Sequence, residues 1–249
     1  MQSPPLFVQL YTVREPLLDD YSGTIMRLAE IGFQGVELAN FLDRAPELGA
    51  ALKAAGLVAP SAHAKLVAVD SEPERAFSIA AELGVTTVIE PVGDRSRWST
   101  EADVRGLADD LNAQVDRAAG FGLTLGYHNH SFEFVTLPDG QNAYDTFVQN
   151  LDERIVLEID AYWAAVAGID PLALIKKYGP RVHFLHVKDG PITPEKADQL
   201  PVGSGTMPTL EILRAAPQAL RVVEFDAYQG DIFAGLQRCH DYLTKESNA

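Results

Sequence analysis

Three residues at the ends of apolar runs carry the clearest chemistry in this chain: Asp160 in VLEIDAYW, His186 in FLHVKD and Glu224 in VVEFDAY. One imidazole and two carboxylates from successive strands suit a borderline-hard divalent cation such as Mn²⁺, Mg²⁺ or Zn²⁺. A second group sits in LGYHNHSFEF, residues 125–134, where His128, Asn129, His130 and Glu133 follow a short apolar run. Residues two apart in a strand share a face, so His128 and His130 can act together, with Glu133 a candidate ligand or base beside them. The bland alternative is a polar turn with hydrogen-bonded histidines. Lys188 shares a face with His186 and can stabilise a developing oxyanion, and Trp163 can offer its ring to a sugar; each is equally well an ordinary packing residue or a solvated tip. VGSGTM, ahead of TLEIL, has the look of a glycine turn that cradles phosphate, or simply of a flexible helix entry.

These side chains need elements to position them, and the chain supplies a recurring phrase of amphipathic helix, glycine and short β-rich run. It reads RLAEIGFQGVEL, ALKAAGLVAPSAH, IAAELGVTTVIEP and RAAGFGLTLGYH, with Gly32, Gly56, Gly84 and Gly122 where helices need a left-handed stop. Ser71 with Glu74, and Thr100 with Asp103, have the spacing of an N-cap and its return partner. PLFVQLYT at the start and RIVLEID, RVHFLHVK and RVVEF later bring the strand–helix pairs to eight. Such alternation implies parallel pairing through right-handed crossovers, and eight units in 249 residues predict a closed (β/α)8 barrel, an α/β TIM barrel, as a single domain over residues 1–249. An open doubly wound sheet is disfavoured because no G-x-G-x-x-G follows the first strand. The strand ends then read Gln9 and Tyr11, Glu37, His63, Glu90, His128 and His130, Asp160, His186 and Lys188, and Glu224, all expected to converge on one face of the barrel.

Composition bounds the partners. Twenty Lys and Arg against thirty-five Asp and Glu give a net charge of −15, with no basic patch, which argues against nucleic acid and anionic membranes. The first residues lack a signal-peptide pattern, and no apolar run has the length of a membrane span. A single cysteine, Cys239, excludes an internal disulfide and fits a reducing, cytoplasmic compartment.

GFQGVEL, GYHNHSFEF, LEIDAYW, LHVKDG, VGSGTM and VVEFD, in this order and spacing, resemble the sugar phosphate isomerase/epimerase group of the xylose-isomerase-like TIM barrel superfamily. The resemblance spans essentially the whole chain. It implies a divalent metal, Mn²⁺ foremost with Mg²⁺, Zn²⁺ or Co²⁺ as alternatives, held at the barrel mouth by Glu, Asp, His and Glu from four strands. Asp160, His186 and Glu224 match the last three places. The first departs: Gly126 stands where relatives have a strand-five glutamate, with His128 two residues beyond. Glu133 is therefore expected to complete the metal set and His128 to move the proton, with His130 in reserve for either role. Glu224 counts both as ligand and as catalytic group; His63, Trp163 and Lys188 are expected to contact substrate.

The implied activity is metal-dependent isomerisation or epimerisation of a sugar or sugar phosphate, by proton transfer beside a carbonyl through an enediolate. The alternative is a metal-dependent lyase or dehydratase acting by β-elimination on keto-sugars or oxidised glycosides. A catalytically inactive sugar-binding barrel ranks behind both, and an endonuclease relative, needing more ligands and a basic face, is set aside. The expected partner is a small carbohydrate, with self-association into a homo-oligomer left open.

Overall fold

The computed structural model describes residues 4–247. Eight strands, β1 (Leu6–Gln9), β2 (Gly35–Leu38), β3 (Val58–His63), β4 (Thr87–Glu90), β5 (Thr124–His128), β6 (Val156–Asp160), β7 (Val182–Val187) and β8 (Leu220–Val223), form a closed barrel in sequence order. All pairs are parallel, and β1 closes the ring against β8. The (β/α)8 architecture expected from the strand–helix alternation is the one observed.

Strand alternation divides each strand between two environments. Val8, Val36, Val88, Leu157, Leu185 and Val223 face the surrounding helices in the main core. The alternate residues Phe7, Ile89, Val156, Phe184 and Val222 fill the barrel lumen as a separate apolar plug. One step further along several strands the lumen turns polar, with Gln9, Glu37, His128, Glu158 and His186 all buried. The apolar plug is thus the floor of a polar chamber at the C-terminal ends of the strands, where barrel active sites lie.

Gly126 belongs to that floor. A Cβ there would meet Ile89 Cγ1 at 2.9 Å and Val156 Cγ2 at 3.3 Å. Any side chain would overfill the plug, and the β5 residue that reaches the chamber is His128, one inward position higher.

The helices form as their sequences indicate. Helix Tyr21–Ile31 is capped by Asp20, whose side chain accepts from Gly23 N–H, buries Ile25 and Leu28, and stops at Gly32 (φ 113°). Thr100 caps helix Glu101–Asn112, and its hydroxyl donates to Asp103, completing the expected pair. Ser71 does not cap. Helix Pro73–Glu82 begins after Glu72, and Ser71 Oγ donates instead to the carbonyls of Ala68 and Leu66, because Pro73 at the first turn already fits a position needing no N–H partner. Among the described residues, no helix is long and apolar enough to cross a membrane.

Candidate active site

His186 divides the chamber in two. Its Nδ1 lies 2.8 Å from Glu224 Oε2, while its Nε2 lies 2.7 Å from Glu37 Oε1 and 3.1 Å from Glu158 Oε2. On the Nε2 side, Glu158 Oε2 also has His63 Nε2 at 2.6 Å and His128 Nδ1 at 2.9 Å. Glu37 borders this group, 3.0 Å from His63 Nε2, and accepts from Gln9 Nε2 at 2.7 Å and Ser61 Oγ at 2.6 Å. On the Nδ1 side, Lys188 Nζ is 2.8 Å from Asp160 Oδ2, 2.7 Å from Glu224 Oε2 and 2.7 Å from Asp226 Oδ2.

These positions follow from strand parity. Glu158 and Asp160 alternate inward on β6, and His186 and Lys188 do so at the end of β7, with Asp160 opposite His186 in register. Asp160 also starts the helix Ala161–Val166, its Oδ1 accepting Trp163 N–H at 2.9 Å, so its carboxylate is fixed on one side and projects Oδ2 toward Lys188.

Burial sets up a strongly polarised chamber. Burial alone would raise Glu37, but the imidazoles of His63 and His186 hold it well below the usual carboxylate range. Burial and Glu37 likewise oppose ionisation of Glu158, and His186, His63 and the His128 hydrogen bond bring it down to about 2. His63 moves the other way: against burial, Glu37 and Glu158 raise it to about 10. His128 is held well below the ordinary histidine value by burial and by His186. Lys188 is pushed up by its three carboxylates despite burial. Asp160 is itself raised, because its burial outweighs Lys188.

The site residues expected from sequence fall in three groups. Asp160, His186, Glu224, His63, His128 and Lys188 meet in the chamber, and His130 lines the cleft above it. Glu133 stands apart. It is buried, with Oε2 accepting His130 N–H at 2.9 Å and Oε1 3.3 Å from the Tyr127 hydroxyl, and it belongs to neither cluster of metal-competent donors. Its short reach is taken up by its own loop, where a carboxylate stabilises an otherwise unpaired amide. Trp163 is buried as well, with Nε1 donating to Asp226 Oδ2 at 3.1 Å, so its indole braces a carboxylate where a sugar-stacking face was expected.

Two more carboxylates anchor loops. Glu90 accepts the N–H groups of Leu66, Val67, Val92 and Gly93, which removes it from the expected ring of convergent strand ends. Asp189 accepts those of Gly190, Gly203, Gly205 and Met207 at 2.8–3.0 Å. The VGSGTM turn therefore does cradle an anion, and that anion is the protein's own. Gly205 is required there, since a Cβ would stand 2.2 Å from Asp189 Oδ1.

Glu158 and Asp226 complete the chamber without having been singled out by sequence. The signal for Glu158 was parity: in VLEID it shares a face with Asp160. Asp226 bears the same relation to Glu224 in VEFD.

Above the chamber opens a cleft of about 500 Å³, lined by Tyr11, His63, His128, His130 and Glu224 among others. Its size suits a small molecule. Two sets of donors beneath it have ligand atoms within 4.8 Å of one another: His63, His128, Glu158 and His186, and Asp160, His186 and Glu224. Among the described residues, Glu158 Oε1 is buried without a hydrogen-bond partner, whereas Asp160 Oδ2 is taken up by the Lys188 ammonium at 2.8 Å. An unpaired buried carboxylate oxygen among three imidazoles is what a divalent cation would satisfy, so the residues fit one.

A parallel barrel with a polar chamber of imidazoles and carboxylates at its C-terminal face defines a class, and the sequence comparison places the chain within it. Residues 25–219 match the xylose isomerase-like TIM barrel family, and the chain belongs to that family. It is similar to an inosose dehydratase of Clostridium beijerinckii, 28% identical over 127 residues, which are 51% of this chain and 39% of that relative's length. The match thus spans about two fifths of the curated relative. A solved sugar phosphate isomerase/epimerase from Parabacteroides distasonis has a TM-score of 0.82 at 25% identity, covering 98% of this chain and 94% of its own. The structure of an IolI protein with a bound zinc atom has a TM-score of 0.73 at 15% identity, covering 98% and 97%, a likeness of fold.

Proposed function

We propose that this barrel is a divalent-metal-dependent lyase that removes water from a keto-cyclitol or keto-sugar by β-elimination. The observation that carries the reading is the set of proton-carrying groups lining one cleft above a cation-competent chamber, in a chain whose curated relative is a dehydratase of an inosose, a cyclic polyhydroxy ketone. The cation would be held at His186, which both donor sets share. When bound, it supplies Lewis-acid polarisation of the substrate carbonyl, which makes the neighbouring C–H acidic.

The chain's own residues then divide the work. His130 and Glu224 line the cleft and are the groups we assign to moving the proton, with His128 between them and the chamber. Glu133 fixes the backbone of His130, and the His130 ring stacks on Phe132 at 5.7 Å, so the imidazole is oriented before substrate arrives. Lys188 balances Asp160, Glu224 and Asp226 and holds Glu224 in place. The proton taken from carbon by His130 or Glu224 can pass to the departing hydroxyl, which leaves as water. The closure of the glycine turn around Asp189 supports an unphosphorylated substrate, because its amides are already committed.

A second reading, isomerisation or epimerisation, is favoured by the similarity to the Parabacteroides distasonis protein over nearly the whole chain. It uses the same proton abstraction and differs in where the proton returns. Incubation of metal-loaded protein with keto-cyclitols and keto-sugars in D₂O separates the two: loss of water yields an unsaturated ketone, whereas isomerisation or epimerisation returns a saturated product carrying deuterium.

A further inference from the structure

The family resemblance puts the cation among Asp160, His186 and Glu224, yet that side of His186 already holds a positive charge. Lys188 Nζ contacts Asp160 Oδ2, Glu224 Oε2 and Asp226 Oδ2 at 2.7–2.8 Å, and Lys188 is buried. A metal there would compete with the ammonium for the same two oxygens. The opposite side of His186 presents a different picture. Three imidazole nitrogens, His63 Nε2, His128 Nδ1 and His186 Nε2, lie 2.6, 2.9 and 3.1 Å from one oxygen, Glu158 Oε2, while Glu158 Oε1 has no hydrogen-bond partner. His63 and His128 are hydrogen-bonded to that oxygen, and His186 Nε2 lies between it and Glu37 Oε1, so three ring nitrogens converge on two buried carboxylate oxygens. The same four groups are well matched to a shared ion.

We infer that this chain's divalent cation is held by His63, His128, Glu158 and His186, with Lys188 acting as the fixed cation of the Asp160–Glu224–Asp226 half. The inference deepens the lyase reading and rests on its requirement for a metal. Outer contacts support the arrangement. With His186 ligating through Nε2, its Nδ1–H donates to Glu224 at 2.8 Å, the carboxylate–imidazole pairing that fixes the tautomer of a ligating histidine. Glu37, held by Gln9 and Ser61, borders the cage 2.7 Å from His186 Nε2. Three nitrogens and one oxygen favour a borderline ion such as Zn²⁺ or Co²⁺ over Mg²⁺, which takes oxygen ligands.

The test is metal binding, measured without substrate. Chelator-treated protein is titrated with Co²⁺, following stoichiometry and the visible d–d bands, and then challenged with Zn²⁺ and Mg²⁺. The inference expects one Co²⁺ per chain, displaced by Zn²⁺ and left in place by equimolar Mg²⁺. His63→Ala and Glu158→Gln should each weaken Co²⁺ by more than the ~10–100-fold typical of losing an outer-shell partner. Asp160→Asn, which keeps an acceptor for Trp163 N–H, should stay within that range with unchanged bands. Circular dichroism checks that each variant is folded, and pulsed electron paramagnetic resonance of the parent chain, reading imidazole nitrogens on a bound paramagnetic ion, gives an answer that needs no variant. Loss of Co²⁺ in Asp160→Asn with retention in His63→Ala and Glu158→Gln, or a single coupled imidazole, would overturn the assignment while leaving the lyase reading intact. Failure of the parent chain to bind Co²⁺ or Zn²⁺ at all would overturn both.

Discussion

Lys188 and Asp160 form a fully buried ion pair, Nζ to Oδ2 2.8 Å, at the base of the chamber. The ammonium also contacts Glu224 and Asp226, so its removal leaves three carboxylates facing one another in a buried space. Lys188→Met should cost about 3–5 kcal/mol at neutral pH, the usual penalty for stranding a buried charge. Without the lysine these carboxylates bind protons more tightly folded than unfolded, so the loss should shrink as the pH falls. Urea unfolding at pH 7.5 and pH 5 measures both effects; a loss that is small or independent of pH would show that the cluster is not balanced by Lys188.

Glu133 anchors the backbone of His130 and the Tyr127 hydroxyl, away from both donor clusters. Glu133→Ala should therefore retain the metal while losing about 1–3 kcal/mol of stability, from the amide it leaves unpaired. Metal analysis together with thermal unfolding decides the matter. Loss of the metal in a folded variant would return Glu133 to the coordination sphere.

Gly126 is a packing residue of the barrel floor. Gly126→Ala should overfill the space between Ile89 and Val156 and cost about 1–3 kcal/mol in denaturant unfolding, with metal affinity unchanged. An Ala variant as stable as the parent would mean that the floor has slack.

Cys239 is buried and accepts from Val202 N–H at 3.2 Å, and burial pushes its thiol up to about 12. At pH 8 the folded chain should be inert to a thiol-specific disulfide reagent, with one equivalent reacting after denaturation. Rapid reaction of the folded chain would contradict the closed packing of helix Ile232–Ser247 over the barrel.

The barrel was legible because its periodicity is local: helices such as Tyr21–Ile31 and Ala45–Ala55 end at their own glycines, and the strands carry their own alternation. The chamber was legible where a residue's partners lie directly across neighbouring strands, as with Asp160 and His186 in register. It was illegible where a carboxylate is claimed by backbone amides. Glu90, Glu133 and Asp189 have the composition of site residues, and only the path of the loops shows that each satisfies N–H groups. Glu158 was hidden for the opposite reason. It precedes the strand end by two residues, and parity alone, applied to VLEID, brings it to the three imidazoles.

A lyase and an inert barrel differ most directly in the fate of the proton and hydroxyl beside the ketone. Chelator-treated protein, reloaded with one equivalent of Co²⁺ or Zn²⁺, is incubated with a panel of keto-cyclitols and keto-sugars in D₂O and followed by nuclear magnetic resonance and ultraviolet absorbance. An unsaturated ketone should appear from at least one member only with metal bound, abolished by chelation and reduced ~10²–10⁴-fold by loss of the proton-carrying side chain in His130→Ala. Metal-independent turnover, or neither water loss nor deuterium incorporation on any member by the fully loaded protein, would contradict the lyase reading.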